Sequence, residues 1–313
     1  MARREWLVIL TVLSVVASTA IADPPKPLKA PFTKEQAKAA QEAWAKYLGK
    51  KVEEEIDIGG GLKMVFELIP PGTFMMGSPE EELKLKGDDK ANDDEVPRHE
   101  VTISKPFYLG KYLVTQAEYV QLTGKENPSF FSADGGGKDR LKGADTNRFP
   151  VEGVDWKQAA ECASTLKNKL GEGWKNARLP SEAMWEYACR AGTETRWHVG
   201  NRLTTEQAQF GQKGEGRLNR TRIVGLGAAN AFGLLDMHGN VYQWCRDWYG
   251  KYSGNSQIDP EGPDNGSERV VRGGCWVNPA EYCRSAFRYE FIPLIRDQGL
   301  GLRLALVPSG QDK

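Results

Sequence analysis

The sequence predicts an irregular α+β domain in which short strands and a few helices are joined by many turns. The chain has 313 residues, and its 34 glycines and 17 prolines exceed the usual share in globular proteins. Strand and long-helix patterns do not alternate, which argues against a doubly wound sheet or an α/β barrel. A hydrophobic content of 40% is enough for a core. The 42 basic residues balance 42 acidic ones, so we expect no nucleic-acid partner.

The first 22 residues have the three-part pattern of a secretory signal peptide. Arg3 and Arg4 precede an uncharged run at residues 6–17, and small residues surround Ala22, after which we expect cleavage. The run is shorter than the roughly 20 apolar residues of a membrane-spanning helix. The sequence therefore predicts an exported protein, periplasmic or extracellular, with no membrane span after signal cleavage.

Residues 23–61 predict a proline-rich linker followed by one amphipathic helix. Thr33 and Gln36 have the spacing of a capping box, and apolar residues recur at helical spacing until Gly49. An isolated helix of this length is marginal in water. We therefore expect its apolar face to dock on the following domain or on a partner.

The main domain is predicted to span residues 62–307, with a short tail at 308–313. Its charged stretch at residues 79–95 predicts a surface loop. Strand patterns occur at residues 62–69, 73–77, 101–103 and 107–109. Three helices are predicted to begin after N-cap residues and to cover residues 116–122, 156–166 and 182–190, behind Thr115, Asp155 and Ser181 respectively.

The stretch 233–248 is the densest in unusual polar and aromatic residues. Gly239 permits a backbone conformation in which carbonyl groups converge. Asp236, Asn240 and Gln243 add side-chain oxygens of the kind that calcium prefers. The alternative is a tight turn whose Asp and Asn side chains bind backbone amides. The residues alone leave both interpretations open.

Cys275 and Cys283 form a second candidate site, eight positions apart and next to two glycines. In an exported protein such a pair could be a disulfide, a soft-metal site or a redox pair. The alternative is two separately buried small residues. Five cysteines are an odd number, so at least one thiol is unpaired within a monomer. The three histidines lie far apart in sequence, and we expect them to be isolated and structural.

Taken together, these stretches resemble the formylglycine-generating enzyme family, also called sulfatase-modifying factor domains. The motifs that carry the resemblance are LIPPGTFMMGS (68–78), EVPRHEV (95–101), RLPSEA with WEYACRAG (178–192), the stretch 233–248, RGGCW (272–276) and LGLR (300–303). The resemblance covers about residues 62 to 307 and implies a C-type-lectin-like α+β fold with little regular secondary structure. Enzymes of this family oxidise a sulfatase cysteine to formylglycine, using oxygen and copper held by two cysteine thiolates.

By this resemblance the two copper-thiolate positions hold Asn278 and Cys283. An Asn amide is a hard, neutral ligand, so copper should bind far more weakly here than between two sulfurs. Cys275 stands where family enzymes usually have Ser and could supply a second sulfur from a shifted position. Tyr282 matches an active-site Tyr of the family. The resemblance thus predicts loss of the standard activity, with an active copper- and oxygen-dependent oxidase as the alternative.

The resemblance also implies one calcium site, formed by Asp236, the carbonyls of Gly239 and Val241, and Gln243. Gln243 stands where a Glu is common, which removes a negative charge and should weaken affinity. The family's other calcium site is not expected, because Gln209 holds its first ligand position.

A binding function is therefore the main expectation from the sequence. The predicted groove is lined by Trp276, Tyr282, Tyr289 and neighbouring Arg288. Clefts rich in aromatic residues and arginine suit recognition of other molecules. The expected partner is a peptide, a glycan or a sulfatase polypeptide.

Overall fold

Side-chain caps fix where the helices begin. The computed structural model describes residues 23–84, 92–211 and 218–309. Its helices are α1 (Lys34–Leu48), α2 (Glu80–Leu83), α3 (Gln116–Thr123), α4 (Trp156–Lys169) and α5 (Glu182–Arg190). The predicted capping boxes at Thr33 and Thr115 are both present, and Asp155 caps α4 in the same way. The helix predictions are confirmed, and among the described residues α2 is the one α-helix that was not predicted; it lies within the predicted charged loop.

Thirteen short strands form three sheets in the described residues. The strands are β1 (Leu28–Lys29), β2 (Glu53–Gly59), β3 (Leu62–Ile69), β4 (Gly72–Met76), β5 (His99–Ile103), β6 (Phe107–Gly110), β7 (Trp174–Arg178), β8 (Tyr242–Trp248), β9 (Gln257–Ile258), β10 (Arg269–Arg272), β11 (Arg288–Phe291), β12 (Leu300–Gly301) and β13 (Ala305–Pro308). The sheet orders are β1-β4-β5-β9, β2-β3-β6-β13-β7 and β11-β10-β8-β12. Short strands, few helices and many turns confirm the predicted α+β class.

Residues 23–61 form part of the domain and do not act as an extended linker in front of it. Strand β1 pairs in parallel with β4, and β2 forms an antiparallel hairpin with β3. Helix α1 buries Ala37, Trp44 and Ala45. The Gln41 amide donates to the carbonyls of Leu68 (2.8 Å) and Phe232 (3.1 Å). The helix thus docks on the domain, and the predicted boundary at residue 62 lies inside the β2–β3 hairpin.

Buried ion pairs tie α5 to the sheet that carries the candidate site. Glu186 is fully buried and binds Arg190 (2.9 Å) and Arg272. Glu182 makes a two-point contact with Arg288, at 2.8 and 2.7 Å. These contacts join β10 and β11 to α5. They hold in place the turn between those strands.

Three predictions concern parts of the chain that lie partly or wholly outside the described residues. The signal peptide falls on residues 1–22, residues 85–91 belong to the predicted charged loop, and residues 310–313 belong to the predicted tail. None of the helices in the described ranges has the length and hydrophobicity that a bilayer crossing requires.

Candidate functional site around Cys275 and Cys283

A double-glycine turn after β10 packs against one cysteine of the site and leads into the other. Gly273 and Gly274 both have positive φ angles, 95° and 69°. A Cβ atom on Gly274 would lie 2.6 Å from the sulfur of Cys283, so a larger residue there would collide with it. The turn therefore packs directly on Cys283. Its next residue is Cys275.

The Asn278 side chain caps the turn that contains Cys275. Its amide oxygen accepts hydrogen bonds from the backbone N–H of Cys275 (3.0 Å) and from the Cys275 thiol (2.9 Å). The backbone N–H of Asn278 donates back to the carbonyl of Cys275 (3.1 Å). A carbonyl oxygen has two lone pairs, and both are used here.

Burial disfavours the thiolate form of both thiols of the site. Burial raises the pKa of Cys275 to about 12, and nearby Asp297 adds to this shift. Burial also raises the pKa of Cys283 well above its ordinary value, with Cys275 and Glu281 contributing. Cys283 lies in an apolar cluster with Trp197 and other hydrophobic residues. All five cysteines of the chain are free and buried, so no disulfide joins them.

The residues present do not fit a two-sulfur copper site. Such a site needs two thiolates, because the thiolate and not the thiol is the metal ligand. Here Asn278 offers an amide oxygen in place of one sulfur, and that oxygen accepts both hydrogen bonds from Cys275. Within the described ranges, no group of three or more His, Cys, Asp or Glu side chains is arranged to hold a metal ion.

The side chains predicted to bind calcium are engaged with other groups. The Gln243 amide oxygen accepts from the Trp185 indole (2.8 Å) and from Arg303 (3.0 Å). The Asp236 carboxylate accepts from the backbone N–H of Gly225 (2.5 Å). Burial raises the pKa of Asp236 above its ordinary value. An ion here would keep the carbonyls of Gly239 and Val241 and one oxygen of the Asp236 carboxylate from the predicted set, whereas calcium takes six to eight oxygens, so the Gln243 side chain does not fit the site as it stands.

The predicted groove divides into exposed and buried parts. Tyr282 and Tyr289 are each 40% exposed, and the Phe287 ring lies between them, at centroid distances of 4.8 and 6.4 Å. We call these three residues the tyrosine ledge. Trp276 is buried, and its indole donates to the carbonyl of Gln298 (3.0 Å).

Arg288 does not join the ledge. It precedes Tyr289 on β11, and successive side chains of a strand point to opposite faces. Its buried guanidinium binds Glu182 and the carbonyl of Gly250 (2.8 Å). The structure thus places Arg288 in a buried ion pair and leaves the two tyrosines exposed.

Two of the three histidines meet behind Cys283, so the expectation that all three are isolated is wrong for this pair. The rings of His198 and His238 stack at 4.8 Å. The Nε2 atom of His238 accepts from the backbone N–H of His198 (3.2 Å), so its Nδ1 carries the proton donated to the Cys283 carbonyl (2.7 Å). Burial holds the pKa of His238 well below its ordinary value. Their wide separation in sequence concealed this contact.

The domain is similar to known proteins over its whole length. Residues 63–307 match the sulfatase-modifying factor enzyme 1-like domain. The chain belongs to this family. The family resemblance and the C-type-lectin-like α+β fold are both confirmed.

Individual relatives extend over most of this chain. The formylglycine-generating enzyme of Bos taurus is 30% identical over 282 residues, covering 76% of this chain and 73% of that protein. The protein named serine/threonine-protein kinase pkn1 of Chlamydia caviae is 33% identical over 242 residues, or 71% of this chain. This chain spans only 36% of that relative's length. The solved structure of PvdO from Pseudomonas aeruginosa has a TM-score of 0.67 at 27% identity, covering 82% of this chain and 99% of that one.

Proposed function

We propose that this family member is a binding protein that lacks cysteine-oxidising activity. The observation that carries this proposal is the double hydrogen bond from Cys275 to the Asn278 oxygen. These hydrogen bonds make Asn278, the residue at one copper position, a structural cap of the turn. The remaining thiol, Cys283, is fully buried, and burial raises its pKa well above the ordinary value, which makes it a poor nucleophile.

The tyrosine ledge supports binding of an extended peptide. Tyrosine offers a large, rigid contact area and loses little conformational entropy when it is covered. Other exposed apolar side chains follow the ledge along the chain, at Ile292 (50%) and Leu294 (76%). Exposed apolar patches of this kind are typical of interaction sites. Aliphatic neighbours favour a polypeptide partner, such as a sulfatase segment, over a glycan.

The catalytic part of the proposal is tested with a sulfatase-type peptide. The purified protein is incubated with copper, oxygen and a peptide containing Cys-x-Pro-x-Arg, and the aldehyde product is sought by mass spectrometry. We expect no aldehyde, while the bovine formylglycine-generating enzyme provides the positive control. Turnover above the copper-only background would overturn the proposal in favour of the alternative, an active copper- and oxygen-dependent oxidase.

The binding part is tested at the ledge itself. A labelled peptide in which Gln alternates with Tyr serves as the probe, and binding is measured by fluorescence anisotropy. Tyr282→Ser and Tyr289→Ser should each weaken binding about tenfold, as expected for aromatic contact residues. Tyr47→Ser is the matched control, because Tyr47 is 39% exposed on α1. Equal effects of all three changes, or no binding by the unaltered protein, would contradict the proposal.

Export is part of the same proposal. It rests on the signal-peptide pattern, whose small residues surround Ala22. We expect the protein recovered from the periplasm or the medium to begin at Asp23, and intact-mass measurement reads this directly. Recovery of the full-length chain from the cytoplasm alone would contradict it.

A further inference from the structure

A second groove, of about 860 Å³, adjoins the candidate site. Trp276 and Val277, from the turn that holds Cys275, form part of its wall. The rest of the wall includes Arg140, Lys142 and Arg220. We call this cavity the basic groove. It opens beside the turn that leads to the tyrosine ledge.

Aromatic rings hold two of the cations in place. Arg140 lies over the ring of Phe131 at 5.9 Å, and that ring packs edge-on against Trp276 at 5.2 Å. Arg220 lies over the ring of Phe149 at 5.3 Å. Such contacts orient a guanidinium without neutralising its charge. The cations are therefore positioned relative to the wall of the candidate site.

In the described part of the chain, no carboxylate forms an ion pair with the three cations of the groove. The hydrogen bonds of Arg140 and Arg220 go to the backbone carbonyls of Asn219 (3.3 Å) and Thr221 (3.0 Å). Among the described residues, no acidic side chain lines the groove. Burial lowers the pKa of Arg220. Like charges gathered along one wall raise the local positive potential and attract anions.

We propose that the basic groove recognises an acidic segment of the peptide partner. This inference rests on the proposed function, since it assigns the chemical class of the peptide bound next to the ledge. Glu or Asp side chains would pair with the three cations. An Arg-containing Cys-x-Pro-x-Arg peptide would meet like charges there, and such repulsion discriminates between partners.

Three labelled peptides test the charge preference. In each, Tyr alternates with a second residue, which is Glu, Gln or Arg. We expect the Glu peptide to bind about tenfold more tightly than the Gln peptide and the Arg peptide to bind most weakly. The preference should shrink as salt concentration rises, because salt screens exposed charges.

Charge-removing variants test whether the basic groove is responsible. The double variant Arg140→Gln/Lys142→Gln should remove most of the preference for the Glu peptide over the Gln peptide. Both residues are exposed, so the fold should tolerate the change. Arg220→Lys keeps the charge and should keep the preference. Lys38→Gln is the control, since Lys38 is an exposed lysine on α1 outside the groove.

The outcomes separate this inference from the proposed function. Tight binding of the Gln peptide with no gain for the Glu peptide would overturn the inference and leave the proposed function intact. A preference that survives the double variant would place acidic recognition elsewhere and likewise overturn it. Absence of binding by all three peptides would overturn both.

Discussion

At the scale of single residues, Asn278 determines what chemistry the site can perform. By the family resemblance this position would hold one sulfur of the copper pair, whereas the amide oxygen of Asn278 accepts two hydrogen bonds from Cys275. Those bonds stabilise the turn after β10. They also keep the Cys275 thiol pointed at a neutral acceptor instead of a cation, so nothing in this contact favours the thiolate.

Replacing Asn278 should therefore change metal affinity. Asn278→Cys is expected to raise copper(I) affinity by more than about tenfold, because soft thiolates are preferred ligands of Cu(I). Competition with a chromogenic copper(I) chelator measures the change. The same substitution combined with Cys283→Ser should cancel the gain. Unaltered affinity in Asn278→Cys would show that these two positions do not form the family's copper pair.

Glu152 is a second residue of interest, because its buried carboxyl group should make the free energy of unfolding depend on pH. It is fully buried, and its carboxylate accepts from the backbone N–H groups of Phe130 (3.1 Å) and Phe131 (2.8 Å). Burial outweighs these bonds and raises the pKa of Glu152 to about 8. The folded state thus favours the protonated form. This stabilisation is complete below the unfolded pKa and is lost as pH rises through about 8.

The free energy of unfolding should accordingly fall as the pH rises from about 5 to about 8. These limits lie near the ordinary and the raised pKa of the Glu152 carboxyl. Glu152→Gln should make that decline shallower, because the amide does not titrate. Urea unfolding at several pH values measures the slope. Glu161→Gln is the control, since Glu161 is 46% exposed. Identical slopes in both variants would show that Glu152 does not titrate in this range.

At the scale of elements, buried charges connect α5 with the strands that carry the site. Glu186 accepts from the backbone N–H of Gly77 (2.9 Å) as well as from Arg190 and Arg272. Burial opposes its charged form, but the Arg272 and Arg190 guanidiniums hold the pKa of Glu186 below its ordinary value. Three segments that are distant in sequence therefore meet at one carboxylate.

Removing that carboxylate should be costly. Glu186→Gln is expected to lower the free energy of unfolding by about 3–5 kcal/mol, because it leaves buried guanidinium charge without its partner. Glu161→Gln breaks only an exposed pair with Lys125 and should cost less than about 1 kcal/mol. Chemical denaturation compares the two variants. Similar losses would contradict the view that the Glu186 contacts stabilise the fold.

At the scale of the whole molecule, the N-terminal segment completes the domain. Helix α1 contributes to both large hydrophobic clusters, with Ala37 in one and Trp44 and Ala45 in the other. Strand β2 covers the edge of β3. Without residues 23–61, the sheet would expose an unpaired edge and the core would lose one wall.

A chain that begins at residue 62 should therefore fail to give a cooperative thermal transition, whereas the chain that begins at Asp23 should unfold cooperatively. Circular dichroism during heating measures both. The physical reason is lost burial of apolar surface, at roughly 25 cal/mol per Å². A transition at the same temperature in both chains would instead support the domain boundary predicted at residue 62.

Local signals in the sequence predicted much of the fold. The caps at Thr33, Thr115 and Asp155 placed helix starts correctly, because a capping box involves residues only three positions apart. The long strand at 62–69 was equally visible, since apolar residues fill all of its positions except Lys63 and Glu67. Strand β2 was missed, because its charged residues acquire a strand conformation only by pairing with β3.

The family, the turn-rich α+β class and the substitution at Asn278 were all predictable from the sequence, because each depends on motifs of residues that are close together along the chain. The tertiary structure was needed to show that Arg288 is buried, that His198 stacks on His238, and that Arg140, Lys142 and Arg220 line a groove beside Trp276. These facts depend on contacts between segments far apart in sequence. Burial and the partners it supplies decide whether a polar side chain is structural or available to a ligand.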